Sequence, residues 1–468
     1  MPKEQITATL KLRLKPDLAC SNSLDGQSRI CNWLYNALLE KARELRQDYI
    51  TSKDPQTALK VYSERGLRNR LPALKTEKPF LKVVHSSPLK NTALRLSEAI
   101  QAHQKSRKGK RKGKMVGWPK FRAWKRSWFS LFYDETDKGF KIQGDRITLS
   151  LGMGQDRKRR AIEIPLEDAH LVKDKTIRNL RIVKQLGTYF AIFAIQVEVP
   201  KTKRIASAIA LDPNHKNLAY GADTRGQGIE LAAPHWLKCF DKRLDEIKSK
   251  RDRCQKKSRQ IDVLDETGNP TGKAYWKPSK RWRMYHHQLE RALQKRREQT
   301  KTFLFTTAHY LYKHYDCVGI GDYTPHGEGI TTPMRRAMNN RSLIGRLKQV
   351  LSWVAIKSGK TFIEYDEKGT TRTCHSCGHI LEMGLEPKIR EWMCPTCRSQ
   401  HLRDENAAKN GLSRILRDIA AKGEPLRSQV SCSDLVEIMQ RWAWRVLPSG
   451  MLCMSRGQNC EIFATAGN

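Results

Sequence analysis

The sequence predicts a multidomain α/β protein, and three features carry that expectation. Residues 205 to 412 alternate apolar strands with helices, and two Cys-x-x-Cys pairs interrupt the last strand-to-helix step. Near residue 105 the composition also shifts abruptly, where a basic run laced with aromatics separates helices from strands. At 468 residues the chain has room for roughly two or three cores.

Residues 5–15, QITATLKLRLK, alternate as a half-buried strand does. From about Ser28 to Tyr49 the period becomes helical. Ile30, Trp33, Leu34, Leu38 and Ala42 or Leu45 share a stripe, and the other face is charged. A second helix is expected near Pro88 to His103, with proline at a permitted early position and Leu89, Ala93, Leu96 and Ile100 along one side. The two stripes predict a small bundle.

The run KSRKGKRKGKMVGWPKFRAWKRSW, residues 105–128, holds eleven Lys and Arg, with Trp118, Phe121, Trp124 and Trp128 interleaved. Cations take phosphates and rings stack on bases, so this mixture favours nucleic-acid contact over a solvated linker. The candidate contacts are Lys110, Arg111, Lys112, Lys114, Trp118, Lys120, Phe121 and Arg122. Strand-like segments return at FSLFYD, FKIQGDRITLSL, AIEIPL, IRNLRIVKQLG and TYFAIFAIQVEV. Five strands at this spacing predict a small barrel flanking the helical insert.

The second half opens with IASAIAL (205–211), a nearly unbroken apolar strand running into Asp212. NLAYGADTRGQGIELA supplies two more strands around a turn. Residues 237–315 are basic and helical, broken near Asp265 to Pro278, and read as two helices on one hairpin. Leu289, Leu293, Phe303, Leu304, Ala308 and Leu311 are expected to face inward. CVGIGDY (317–323) is a buried strand, followed by a helix near Ser342 to Ser358 with Ile344, Leu347, Leu351 and Val354 on one face. Phe362, Ile363 and Tyr365 mark another strand, ending in Asp366 and Glu367, and DENAAKNGL from Asp404 is helical in character. Three strands, helices, strand, helix, strand, helix is the order of a ribonuclease-H-like fold, in which acids at strand ends and on the last helix converge on metal.

Cys374/Cys377 and Cys394/Cys397, separated by 16 residues, have the spacing of a zinc ribbon. Four thiolates fill a closed tetrahedral site, so His375, His379 and His401 are not expected to ligate. The other cysteines of the twelve fall at irregular intervals, which fits a reducing compartment better than a disulfide framework. Asp212 and Asp404 suit hard Mg2+ ions, which prefer oxygen ligands, and a two-ion site needs at least one further group. Asp322, Glu364, Asp366 and Glu367 are the candidates. Strand alternation puts Glu364 and Asp366 on one face and Glu367 on that of Ile363 and Tyr365, without saying which face meets Asp404.

With 88 Lys and Arg against 48 Asp and Glu, the formal charge is +40. A surface this basic calls for a polyanion, nucleic acid ahead of a membrane surface. No apolar stretch approaches a membrane span and the start, MPKEQITATLKLRLKP, lacks a secretory core, so a soluble cytoplasmic protein is expected.

ALDPNHKNLAYGAD resembles the first nuclease motif of the transposon-encoded TnpB proteins, and TTRTCHSCG with CPTCRSQHLRDENAAKN resembles their zinc knuckle and third motif. GWPKFR followed by SWFSL, and the basic hairpin before CVGIGDY, match the same pattern. The resemblance covers roughly residues 5 to 412. It implies an RNA-guided DNA endonuclease of prokaryotic cytoplasm, related to compact type V CRISPR effectors and to Fanzor proteins. Its partners would be a guide RNA and target double-stranded DNA, and its cofactors two Mg2+ ions and one structural Zn2+. The implied organisation is a wedge β-barrel (1–20 and 127–204), a helical recognition region (21–126) and a RuvC-like nuclease (205–412) with a zinc knuckle insert (370–402). The extension 413–468, with a helix expected over Ser433 to Val446, reads as a dispensable or regulatory appendage.

One departure stands out. The second motif of the family usually has glutamate where this chain has Gly321, and Asp322 would face the other side of a regular strand. Some relatives, Fanzor proteins among them, carry a substitute glutamate just before the knuckle, and EKGTTRTC resembles that arrangement. The resemblance therefore assigns Asp212, Glu367 and Asp404 as catalytic, Mg2+-binding carboxylates. An acid lost without replacement would instead leave an RNA-guided DNA-binding repressor. An RNA-independent transposase or resolvase would leave the basic surface of the first half without a load.

Replacing Lys110, Arg111, Lys112 and Lys114 together by alanine should weaken RNA binding and flatten its salt dependence, because each neutralised phosphate contributes about −0.7 to the log–log slope on a single strand and about −0.9 on duplex DNA. A binding titration at several salt concentrations checks this, and an unchanged slope would mark the run as a linker.

Overall fold

The computed structural model describes residues 5–421 apart from 112, 123–127, 155, 202–204, 215–216, 265–267, 324–342 and 387–388, together with strand residues 443–446, 452–456 and 459–463. Contacts divide the chain into a unit from Gln5 to Val197 and a unit that begins at Glu198.

The first unit opens with strand β1 (Gln5–Leu14) and helix α1 (Leu18–Ser52), which starts earlier than its apolar period suggests. Asp17 caps it, accepting from the Cys20 amide at 2.7 Å and satisfying one of the unpaired first-turn donors. Its buried stripe holds Cys31, Leu34, Tyr35, Leu38, Leu39, Ala42 and Leu45. Trp33, expected on that stripe, lies at its edge and is 39% exposed, with its ring edge-on to Phe80. Helix α2 (Pro55–Tyr62), helix α3 (Leu71–Glu77) and helix α4 (Ser86–Arg107) follow, and Leu89, Ala93, Leu96 and Ile100 on α4 are all fully buried.

Six more strands follow, in two sheets. β2 (Ser130–Tyr133), β6 (Ile177–Gln185) and β7 (Thr188–Glu198) join β1 in the order β1-β7-β6-β2, while β3 (Phe140–Gln143), β4 (Arg146–Met153) and β5 (Arg159–Pro165) form a meander. A bridge between Leu14 and Leu166 stitches the sheets together. FKIQGDRITLSL, read as one strand, is a hairpin that turns at Gly144, whose φ of +60° suits glycine.

In the second unit β8 (Ala208–Pro213) pairs antiparallel with β9 (Ala219–Asp223), and β9 pairs in turn with β10 (Gly228–Leu231). After helix α5 (His235–Gln255) the break expected in the basic hairpin is itself a β-hairpin, β11 (Arg259–Leu264) with β12 (Pro270–Lys277), before helix α6 (Lys280–His314). Strand β13 (Cys317–Gly321) then runs parallel to β8 on its other side, and β14 (Thr361–Tyr365) runs parallel to β13. The order β14-β13-β8-β9-β10 is the ribonuclease-H-like one expected.

All six residues of β8 are buried because both faces of the sheet are covered, which is why its sequence is a continuous apolar run. Ile209, Leu211, Val318 and Ile320 face helices α6 and α7 (Ile344–Ser358), meeting Phe303, Leu304, Leu347 and Leu351. Ala208, Ala210, Cys317, Ile363 and Tyr365 face the other way, onto Leu412, Ile415 and Ile419 of helix α8 (Arg403–Ala421). Leu293, expected inward, is 43% exposed. The core positions from Thr300 onward cluster in the C-terminal half of α6, and Leu293 precedes them.

Strands Ala443–Val446, Leu452–Arg456 and Asn459–Phe463 extend the sheet beyond β10. The helix expected over Ser433 to Val446 is thus a strand over its last four residues, pairing parallel with β10, and residues 433–442 lie outside those described. Among the described residues no helix is long and apolar enough to cross a membrane.

Candidate metal centres

Side-chain alternation brings the acids together. Ala208, Ala210 and Asp212 share one face of β8, and Cys317, Gly319 and Gly321 share the same face of β13. Ile363 and Tyr365 continue that face on β14, and Glu367 follows two residues on. Helix α8, whose first turn carries Asp404, packs over it. A register slip of one residue in any of these strands would turn its acid to the opposite side.

Gly321 leaves room where the three strand ends meet, and Glu367 takes it. A Cβ at Gly321 would overlap the Oε1, Cγ and Cδ atoms of Glu367. The Glu367 backbone amide donates to Asp322 Oδ1 at 3.0 Å, holding the chain just past β14. Asp322 itself is exposed, Asp366 is exposed, and Glu364 pairs with Lys348 at 2.7 Å. Of the four candidates for a third acid, Glu367 alone turns its carboxylate into the site.

The electrostatics follow from this crowding. Asp212 is 8% exposed, and burial, then the nearby Asp404 carboxylate, push its pKa up to about 7 against a favourable Arg403. Burial also pushes Glu367 up to about 8, helped by Asp212 and Asp322 and opposed by Lys348. Glu367 Oε1 is buried with no hydrogen-bond donor. An orphaned carboxylate oxygen beside other acids fits a hard divalent cation, so the donor set suits Mg2+ held by Asp212, Glu367 and Asp404.

Tyr365 braces the centre, its hydroxyl donating to the Leu211 carbonyl at 2.9 Å and lying where a Cβ on Gly411 would be. Lys348, Arg403 and Arg390 surround the acids but carry no motif of their own. Arg390 Nη1 lies 3.1 and 3.0 Å from the two oxygens of Asp404. Only the folded chain reveals these three cations as neighbours of the site.

In the insert, the sulfurs of Cys374, Cys377, Cys394 and Cys397 all lie within 4.8 Å of one another. The Cys374–Cys397 and Cys377–Cys394 separations are 3.7 and 3.6 Å. Bonds of about 2.3 Å to a tetrahedral zinc imply edges of about 3.8 Å, so the cluster fits that ion. His401 Nε2 approaches Cys374 Sγ at 3.1 Å with its ring against Trp392, as a hydrogen-bonding partner of a ligand sulfur. Asn406 and Asn410 of α8 lock the knuckle to the helix. Both donate to the carbonyls of Thr370 and Thr373, and the His375 amide donates to Asn406 Oδ1 at 2.9 Å.

The expected nucleic-acid contacts divide. Lys110, Arg111, Lys114 and Lys120 are exposed, and Lys112 lies outside the described residues. Trp118 instead packs against the core of the first unit, with His103 edge-on and Arg46 over its face at 4.7 Å. Phe121 lies under Arg43 at 4.4 Å. The Arg122 guanidinium covers Tyr35 at 3.7 Å and donates to Asn32, while its backbone amide and carbonyl both bond Asn36. GWPKFR is therefore seated along α1. Asn32 and Asn36 were legible only as a pair of poor helix formers four apart.

A ribonuclease-H-like domain with converging acids and a four-cysteine insert defines the class. A family profile described as "Cas12f1-like, TNB domain" matches residues 345–411. Proteins of two Mycobacterium tuberculosis strains, provisionally named RNA-guided DNA endonucleases, are 26% identical over 333 residues, 67% of this chain and 66% of theirs. A TnpB-like protein of Acanthamoeba polyphaga mimivirus is 26% identical over 155 residues, 32% of this chain and 28% of that protein. The solved Cas12f1–sgRNA–target DNA complex matches with a TM-score of 0.55 at 12% identity, covering 87% of this chain and 99% of that one. The chain is thus similar to TnpB-like proteins and, in fold, to a type V effector. It spans 66% of the length of the Mycobacterium relatives.

Cys394→Ser should lose zinc, read by elemental analysis of purified protein, and loosen the knuckle. Full zinc in that variant would contradict the assignment. Raised carboxylate pKa values mean that the unfolded chain ionises first as pH rises, so Asp212 and Glu367 cost stability progressively above about pH 4 and fully above about pH 8. With EDTA at pH 8.5, Glu367→Gln and Asp212→Asn should therefore melt higher than the parent, by on the order of 2–4 kcal/mol, with the gap closing near pH 4.5. Mg2+ should stabilise the parent more than either variant.

Proposed function

We propose that this chain is an RNA-guided DNA endonuclease that cuts its target at a single RuvC-like centre. One observation supports the reading: Glu367 fills the volume left by Gly321, where its carboxylate feels the charge of Asp212 as Asp212 feels that of Asp404. An inactive descendant would have no reason to keep a desolvated glutamate there, where it costs stability.

The proposed organisation assigns the wedge to residues 1–20 and 127–204, the recognition helices to 21–126, and the nuclease with its knuckle to 205–412. Guide RNA and target DNA are the partners, and base pairing carries sequence specificity while the protein reads a short flanking motif. The charge of +40 is the counterpart of two polyanions. Asp212, fixed on the central strand, and Glu367, fixed beside it, hold the shared charge at one end. Asp404 closes the site from helix α8. Two Mg2+ ions bound there would activate the attacking water and stabilise the leaving oxygen of the phosphodiester. The Tyr365 hydroxyl and the Asn406 and Asn410 amides keep the three supporting elements in register.

The test is cleavage of a guide-matched duplex in Mg2+ by protein purified with its co-purifying RNA. Glu367→Gln and Asp404→Asn should lower cutting at least about 100-fold, the order expected when an electrostatic transition-state contact is lost, with guided binding nearly intact. Asp322→Asn should be tolerated. Normal cutting by Glu367→Gln together with loss in Asp322→Asn would overturn the assignment, and a parent that binds but never cuts would be a guided repressor.

A further inference from the structure

Asp404 differs from the other two acids in what surrounds it. A single arginine nitrogen, Arg390 Nη1, sits astride both of its oxygens at 3.1 and 3.0 Å. That is the side from which a carboxylate chelates a cation, so the same lone pairs cannot serve both at once. Arg390 belongs to the knuckle insert, four residues before Cys394, and its carbonyl accepts from the Arg403 amide at 2.7 Å. Its main chain is thus pinned to the start of helix α8, while its half-exposed side chain has solvent to swing into.

We infer that Arg390 gates metal occupancy of the centre, holding the Asp404 carboxylate until a divalent cation displaces the guanidinium. The inference rests on the proposed role of Asp404 as a metal ligand and adds a residue that the nuclease reading does not contain.

Exposure decides that this pair is a gate rather than a permanent brace. The Arg390 and Asp404 side chains are 43% and 25% exposed, so water screens their attraction and competes for the arginine once it leaves. Next to Asp404 on α8, Glu405 pairs with Lys409 and makes the contrasting case, with side chains only 14% and 10% exposed and a contact of 2.7 Å within one helix. That pair has no route out. Arg390 also gives the insert a direct hold on the site, because drawing residues 389–391 away from α8 would free Asp404 without moving the strands that carry Asp212 and Glu367. Arg403 and Lys348 also lie near the acids, and they act on Asp212 and on Glu367 respectively.

The experiment is a melting titration of the full-length, zinc-loaded protein with MgCl2, without DNA, comparing the parent with Arg390→Ala, Arg390→Lys and Asp404→Asn. Arg390→Ala should reach half of its Mg2+-induced shift at about 2- to 5-fold lower Mg2+, the factor expected when one partly exposed ion pair no longer competes. Arg390→Lys, with a compact charge that cannot reproduce the planar fork, should fall between them. In EDTA, Arg390→Ala should melt below the parent because the acids lose a neighbouring cation. If Asp404→Asn responds to Mg2+ like the parent, the reading of Asp404 as a ligand fails, and the gate with it. If Asp404→Asn loses the response while Arg390→Ala matches the parent, the gate alone is overturned. Should Arg390→Ala not hold zinc, Arg390→Gln, which keeps the aliphatic stem, should show the same lowered midpoint, and a midpoint equal to the parent's would overturn the gate.

Discussion

Gly321 and Glu367 share one volume, and the rest of the centre depends on that exchange. Strand β13 ends where a side chain would ordinarily project into the site, and the absence of a Cβ lets Glu367 enter from the neighbouring chain segment. The carboxylate so placed is buried, unpartnered at Oε1 and pushed toward neutrality by burial and by Asp212. Such a group is costly to keep. A cation bound there would offset that cost, and so a ligand-binding account explains the residue better than a packing account.

Holding these acids close to one another requires rigid support. The sheet supplies it on one side, with β8 buried on both faces and β13 and β14 in parallel register beside it. Small residues let helix α8 approach the sheet: Gly319 faces Ile415, Gly411 faces Tyr365, and Ala408 meets Ala222. The DENAAKN segment can be read physically on these terms. Its alanines permit close packing, its asparagines tie the loop before the knuckle to the helix, and its aspartate points to the acids. The four-cysteine cluster lies at the far end of the same connection, so a zinc held there and the candidate catalytic centre would be tied to one helix.

Much of this was legible in the sequence, for identifiable reasons. A buried strand between two covered faces writes itself as IASAIAL, and a four-sulfur cluster that suits zinc writes itself as two spaced Cys-x-x-Cys pairs. Strand alternation placed Glu367 on the face of Ile363 and Tyr365, but which face met α8 needed the packed helix. The resemblance to a rearranged motif pointed to Glu367 where periodicity was silent, and the fold turns that side chain inward. Elsewhere a simple pattern misled. Trp33 and Leu293 fit apolar stripes yet lie at or beyond their edges, and the polar break after α5 concealed a β-hairpin. The packing partners of Trp118 and Arg122, which are Arg46, Tyr35, Asn32 and Asn36, lie some 70 to 90 residues away in the chain, so no local pattern announced them. Arg390 had no sequence signal at all, since a lone arginine in a basic chain is unremarked until an acid lies against it.

The central claim is that the acid missing at position 321 is supplied from position 367, and relocating the charge tests it most directly. Guide-matched DNA cleavage in Mg2+ would be measured for Glu367→Ala and for the double variant that adds Gly321→Glu, both checked for zinc content and guided binding. The account predicts that the single variant is inactive and that the double variant regains cutting, because the new glutamate projects from β13 into the volume that Glu367 vacates. Unimpaired cutting by Glu367→Ala, or a folded, DNA-bound double variant that remains as inactive as the single one, would contradict it.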